Sequence, residues 1–230
     1  MSRISFCVDS VIFDMDGVIT NTMPDHYRSW RTVFKEEGIH VTYEDIYKRE
    51  GQPGLSSVTE IFRERGIDFK TKEAVRILKK KEALFKKLVK TRFITGARFF
   101  LKYLHKKNIR LGLVTGTSRH ECYQILPRSL RDLFSAIVTG NEVKCGKPHP
   151  EPYLRSLQKL KINPSQAIVI ENAPFGIRSA KRAGLTCLAV ETSLPRKYLR
   201  EADRIFSSVK ELKEKTSFSR YPNRNRIKQT

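Results

Sequence analysis

The run Val11-Ile12-Phe13-Asp14-Met15-Asp16-Gly17-Val18-Ile19-Thr20 sets two carboxylates one residue apart at the end of an apolar stretch. Acids that close repel one another, so the pair calls for a cation or for work on a phosphate. An isolated Asp-x-Asp-Gly is also an ordinary solvated turn, but three partner motifs follow it in order, after later apolar runs. In Leu113-Val114-Thr115-Gly116-Thr117-Ser118, Thr115 can donate a hydrogen bond, and the amides of Gly116 and Thr117 can face an anion. The same residues could simply cap a helix. Gly146-Lys147-Pro148-His149-Pro150-Glu151-Pro152 holds Lys147 between glycine and proline. Its ammonium could neutralise a phosphoryl oxygen and a neighbouring carboxylate together, although surface lysines are common in so basic a chain. In Ile168-Val169-Ile170-Glu171-Asn172-Ala173-Pro174, Glu171 beside Asp14 would supply the hard oxygen ligands that suit magnesium. Asn172 could equally be a helix cap.

Something must bring the four segments together. Short apolar runs read as buried strands of a parallel sheet, whose carboxyl edge is where ligands bind in open α/β folds. Strands are expected over Ser10–Asp14, Arg110–Thr115, Ala136–Thr139, Ala167–Glu171, Leu185–Val190 and Arg204–Phe206. Helical periodicity lies between them, over Arg98–His105, Glu151–Leu160, Phe175–Ala183 and Arg196–Glu201. This alternation implies a parallel sheet covered on both faces. One interval breaks it. Asp25–Glu37, Tyr43–Arg49, Leu55–Arg65 and Lys72–Val89 all read as amphipathic helices, punctuated by Gly38, the Gly51-Gln52-Pro53-Gly54 loop and Gly66. A helical insertion just after the first strand would lie over the acid pair as a lid. The expected division is a core of residues 1–20 and 93–215, a helical cap of residues 21–92, and a basic, disordered tail of residues 216–230.

At 230 residues the chain can bury a substantial core. No apolar run approaches the roughly 20 residues needed to span a bilayer. Asp9 and Asp14 interrupt what would be a signal-peptide core, so a cytoplasmic enzyme with no membrane partner is expected. Cys7, Cys122, Cys145 and Cys187 are scattered and read as reduced thiols rather than a zinc site. The 45 Lys and Arg against 24 Asp and Glu give a net charge of +21. Such a surface attracts phosphorylated metabolites, nucleic acids or anionic membranes without choosing among them. Lys79, Lys80, Lys81, Lys86, Lys87 and Lys90 share one helix and read as a solvated face. No nucleic-acid module is recognisable, and a nucleic-acid binder on this scaffold remains only the distant alternative.

Taken in order, the four motifs resemble those of the haloacid dehalogenase superfamily, in the subfamily with a helical cap after the first strand. The resemblance runs from about Val11 to Leu212 and is nearest to β-phosphoglucomutases and sugar-phosphate phosphatases. Thr22-Met23-Pro24-Asp25-His26-Tyr27-Arg28-Ser29-Trp30 resembles their first cap helix, with His26 and Trp30 at matching places. The resemblance implies a Rossmann-like α/β core with an inserted α-helical cap. It also implies Asp14 as nucleophile forming an aspartyl-phosphate, and Asp16 as acid and then base. Thr115, Gly116 and Lys147 would hold the phosphate, with Mg2+ held by Asp14, Asp16 through its carbonyl, Glu171 and Asn172. Cap contacts to substrate would come from His26, Arg49, Gly51 and Gln52. Two departures matter. Asn172 stands where the subfamily often has a carboxylate, leaving the metal site one negative charge short. Gly54 stands about where the mutases carry an arginine that clamps a second phosphate, with only Lys48 and Arg49 nearby to replace it. The expectation is therefore a monomeric Mg2+-dependent phosphatase of a small phosphorylated metabolite, with a phosphomutase as the alternative.

Overall fold

A computed structural model describes residues 3–221. In chain order, β1 (Ile4–Cys7) and β2 (Ser10–Phe13) lead into helices α1 (Met23–Glu36), α2 (Tyr43–Tyr47), α3 (Gly54–Glu64), α4 (Thr71–Leu88) and α5 (Ala97–Lys106). Then come β3 (Arg110–Val114), α6 (Arg119–Ile125), α7 (Arg128–Arg131), β4 (Phe134–Val138), α8 (Glu151–Leu160), β5 (Ala167–Glu171) and α9 (Pro174–Arg182). The chain closes with β6 (Thr186–Val190), β7 (Arg204–Phe206), α10 (Val209–Lys215) and β8 (Thr216–Ser219).

Every residue of β2 and β5 is buried, as continuous apolar runs demand of a sheet covered on both faces. The main sheet has the order β4-β3-β2-β5-β6-β7, and all its pairings are parallel. The chain winds outward from β2 through β3 to β4, then returns to the far side of β2 for β5. That reversal makes the carboxyl end of β2 the place where a crevice opens. One face buries Val11, Phe13, Leu111 and Leu113 against Phe100, Leu101 and Leu104 of α5. The other buries Ile12, Val114 and Val169 against Tyr153, Leu157 and Leu160 of α8 and Ile177 and Ala180 of α9. The Rossmann-like core expected from the alternation is present.

The helices α1 to α4 build a third apolar cluster of their own around Trp30, Val33, Phe34, Val58, Ile61, Phe62 and Ile77. They sit between β2 and α5 in the chain, where the helical insertion was expected. Among the described residues no helix is long and apolar enough to cross a membrane.

Two expectations need correction. Thr216–Ser219 is not loose but pairs in parallel with Ile4–Cys7, with Phe6 stacked on Phe218 at 5.5 Å between ring centres. Alternation of side chains over only four residues is too short to read with assurance, yet the two aromatic rings supply the adhesion. The remainder of the basic tail, residues 222–230, lies outside the described residues. Arg196–Glu201 forms a 3₁₀ turn over Arg196–Tyr198 rather than an α-helix, because Leu199 and Ala202 donate to carbonyls three residues back.

Candidate active site

Phe13 pairs with Leu113 on one side and Ile170 on the other, so Asp14, Val114 and Glu171 leave the sheet at one level. The parallel register thus places the two acids side by side. Lys147 joins them from the loop before α8: its Nζ donates to Asp14 Oδ1 at 2.5 Å and to Glu171 Oε1 at 2.7 Å. That loop is tied down by Glu151, whose carboxylate accepts from the amides of Lys144 and Cys145 at 3.0 and 2.8 Å. Glu151 lies close to Cys145 and His149, but both its oxygens are spent on this anchoring.

Glu171 is fully engaged. Its Oε1 also accepts from the Tyr153 hydroxyl at 2.7 Å, and its Oε2 from the amides of Asn172 and Ala173. The close passage of α9 requires Gly176, where a Cβ would lie 1.7 Å from Glu171 Oε1. Burial pushes the Asp14 carboxyl up to about 8 against the pull of Lys147, and the charges of Glu171 and Asp16 add to it. Burial alone would depress Lys147, but Asp14 and Glu171 outweigh it and hold the ammonium above its ordinary range.

Asp16 faces the helical insertion. Thr22 Oγ1 donates to its Oδ1, while Thr117 and Thr115 donate to Oδ2 at 3.1 and 3.3 Å. His26 Nε2 stands 3.7 Å from Oδ1. Burial works to raise the Asp16 carboxyl, but His26, Thr22 and Thr117 prevail and keep it below its ordinary value. His26 is stacked on Phe85 at 3.9 Å, and its Nδ1 lies 3.0 Å from Lys81 Nζ. Burial and the Lys81 charge push His26 down, so its ring is neutral, with Nδ1 accepting from Lys81 and the Nε2 proton toward Asp16.

The loop of residues 49–54 closes over the aspartates. Gly51 has φ +79°, and a Cβ there would meet Lys147 Cδ at 2.8 Å; a Cβ on Gly116 would sit 3.1 Å from the Gly51 carbonyl. Backbone therefore rests on backbone, with a cavity of about 370 Å3 beneath. Asp14, Asp16, Thr115, Gly116, Lys147, His26, Gly51 and Gln52 all line it. Gln52 donates to Glu60 at 2.6 Å and keeps a buried Oε1 without a partner. A larger depression of about 700 Å3, flanked by Arg28, Arg31 and Lys35, does not reach the aspartates.

Arg49 is held within the helical insertion. It lines the cavity, but its guanidinium is bound to Glu64, to Glu60 at 3.4 Å and to the Asp45 carbonyl at 2.7 Å. A cation already neutralised by its own helices is no free phosphate clamp. Lys48 is also diverted, pairing with Glu44 at 3.5 Å and lying over the Tyr198 ring. Gly54 packs against α4, where a Cβ would meet Leu78 Cδ1 at 2.5 Å. The residues that sequence reasoning missed are Thr22, Lys81 and Tyr153, and of Thr117 it named the amide but not the hydroxyl that donates to Asp16. Lys81 had a signal: it falls in phase with Ala74, Ile77 and Phe85 on the buried face of α4, not on its solvated side.

Besides Gln52 Oε1, three buried oxygens of this region have no hydrogen-bond partner: Asp14 Oδ2, Asn172 Oδ1 and Glu50 Oε2. Orphaned hard acceptors among several carboxylates fit a divalent cation such as magnesium. The side chain of Asp16 is taken up by hydroxyls, leaving its carbonyl for that role.

Residues 11–190 match the family model of the haloacid dehalogenase-like hydrolases. The chain belongs to that family. As a member it is a phosphoryl-transfer enzyme. It is 35% identical over 186 residues to a phosphorylated carbohydrates phosphatase of Thermotoga maritima, covering 77% of this chain and 82% of that protein. It is 29% identical over 193 residues to a β-phosphoglucomutase of Bacillus subtilis, covering 81% and 84% of the two chains. Among solved structures, a putative β-phosphoglucomutase from Bacteroides vulgatus superimposes with a TM-score of 0.82 at 34% identity, over 91% of this chain and 88% of that one.

Proposed function

We propose that this enzyme is a Mg2+-dependent phosphatase of a small phosphorylated metabolite, most simply a sugar phosphate, acting through an aspartyl-phosphate. The observation that carries the reading is Asp14, with one oxygen fixed by Lys147 and the other buried, unpartnered and at the cavity. The named relatives act on phosphorylated carbohydrates, which suits a cavity of this size lined by Asp14, Asp16, Thr115 and Lys147.

In the first step a carboxylate oxygen of Asp14 attacks phosphorus, and the bond from phosphorus to the substrate oxygen breaks. Asp16 gives that oxygen its proton. Asp16 rests ionised in the free site, and the substrate's dianion beside it raises its affinity for the proton it must deliver. In the second step Asp16 takes a proton from water, the water oxygen attacks phosphorus, and the bond to Asp14 breaks to free phosphate and the carboxylate. Lys147 and Thr115 hold phosphoryl oxygens in line, so positioning and charge supply most of the acceleration. Held at Asp14, the Asp16 carbonyl and Asn172, and at Glu171 in exchange for one of its hydrogen bonds, Mg2+ would offset the repulsion between nucleophile and phosphate. His26, held in one tautomer by Lys81, orients Asp16. Helices α1 to α4 act as the cap that excludes bulk water.

A mutase must also grip a second phosphate, and the self-neutralised Arg49 and diverted Lys48 argue against it. The test supplies a panel of sugar phosphates with magnesium and measures free phosphate. Wild type should release phosphate and lose activity in chelator, and Asp14→Asn should do neither chemistry nor form an acid-labile phosphoenzyme while keeping its fold. In parallel, β-glucose 1-phosphate with a trace of the 1,6-bisphosphate separates the outcomes. Formation of glucose 6-phosphate far faster than phosphate release would make the enzyme a mutase instead.

A further inference from the structure

The charge missing at Asn172 has a replacement, and it comes from across the cleft. Glu50 belongs to the loop that closes over the aspartates, is 6% exposed, and its Oε1 accepts from Asn172 Nδ2 at 2.8 Å. The same Nδ2 donates to Ser193 Oγ at 2.6 Å, which fixes the amide so that its Oδ1 is turned away from both. A glycine is needed beneath them, because a Cβ on Gly17 would lie 2.1 Å from Asn172 Nδ2 and 2.9 Å from Glu50 Oε1. Asn172 Oδ1 and Glu50 Oε2 are both buried and unpartnered, as is Asp14 Oδ2.

Four carboxylates therefore share this enclosure: Asp14, Asp16, Glu50 and Glu171. Lys147 is the one ammonium hydrogen-bonded to any of them among the described residues. Burying uncompensated carboxylates is costly, and a divalent cation compensates them where a hydrogen bond cannot.

We propose that Glu50 of the cap supplies the carboxylate that the core lacks at Asn172, so that the divalent cation is held by cap and core together. This rests on the metal-dependent reading above. It makes cation binding and closure of the 49–54 loop mutually reinforcing, since each presents the other with its partner. If Glu50 were only a latch, its hydrogen bond to Asn172 would suffice and its charge would be irrelevant.

Glu50→Gln separates the two, because glutamine keeps an oxygen for Asn172 Nδ2 and removes the charge. The full-length protein, stripped with chelator, is titrated with Mn2+ while free ion is followed by electron paramagnetic resonance. Glu50→Gln should bind Mn2+ about tenfold or more weakly than wild type. Moving the charge to the core in Glu50→Gln/Asn172→Asp should restore the affinity. Hydrogen exchange across residues 48–54 should slow on adding Mn2+ in wild type and stay unchanged in Glu50→Gln. Melting curves identify any variant that fails to fold, and the double variant keeps the test informative if the single one does. Unaltered Mn2+ affinity in folded Glu50→Gln, or no recovery in the double variant, overturns the proposal and leaves the metal reading standing. Wild type that binds no Mn2+ overturns that reading, and this proposal with it.

Discussion

Lys81 is charged only because the surrounding pH allows it. Burial against Trp30 and Phe85 pushes its ammonium down to about 8, although Glu121, Glu82 and Asp16 pull the other way. Below that pH it donates to His26 Nδ1 and keeps the other ring proton toward Asp16; above it that control is lost. The rate constant kcat/KM should therefore fall on the alkaline side near pH 8, and Lys81→Arg should move that limb upward, since arginine stays charged. A pH–rate profile that is the same for wild type and Lys81→Arg would assign the limb to another group. Asp14 runs in the opposite sense. Its folded pKa of about 8 exceeds the ordinary 3.8, so the metal-free folded protein keeps a proton that the unfolded chain releases. That contribution to stability is complete at acid pH and disappears as pH rises through about 8. The melting temperature of chelated protein should decline over that window, and the rise produced by Mg2+ should be larger at its alkaline end, because binding displaces the proton. Asp14, Thr115 and Glu171 stood out as single residues because each ends an apolar run, Asp16 because it follows Asp14 so closely, and Lys147 because glycine and proline flank it. Lys81 was not, because a lysine in a lysine-rich stretch reads as surface until the phase of its helix is fixed.

The six strands of the main sheet were legible from their unbroken apolar runs, with ends displaced by a residue or two. What no single run could reveal was register, and register is what sets Asp14 level with Glu171. The cap loop was harder still. Gly51 looked like turn punctuation, yet its lack of a side chain is what lets the loop rest on Lys147. Gly51→Ala combines a left-handed backbone with a Cβ in the path of the lysine stem. One strained position costs on the order of 1 kcal/mol, so the melting temperature should move little. The loop, however, could no longer seat, and kcat/KM should fall by about tenfold or more. Steady-state kinetics beside a melting curve checks both halves; full activity would mean that closure tolerates a shifted Lys147. Arg49 teaches the converse lesson. Its proximity to the site was legible, but its capture by Glu60 and Glu64 depends on how α2 and α3 fold back on each other.

Across the whole molecule the net charge of +21 sets a long-range field that draws phosphate dianions. Because exposed charges are screened by salt, kcat/KM for a phosphorylated substrate should drop as ionic strength rises, while kcat changes much less. Equal loss in both would mean that salt acts inside the closed site rather than on encounter. The pairing of β1 with β8 belongs to this scale as well, and it was missed because each strand alone is too short and too polar to stand out. Ser5 and Ser217 share a hydrogen bond of 2.8 Å across 212 residues of chain. During synthesis, then, β1 is made some 212 residues ahead of β8 and has to wait for it. Until Phe218 emerges, Phe6 has no ring to stack on and an edge of backbone stays open, so the nascent chain can assemble its main sheet but cannot seal its own beginning. Premature termination between Ser193 and that strand keeps every residue of the proposed chemistry in the chain, on a protein whose first strand remains free to pair with a neighbour.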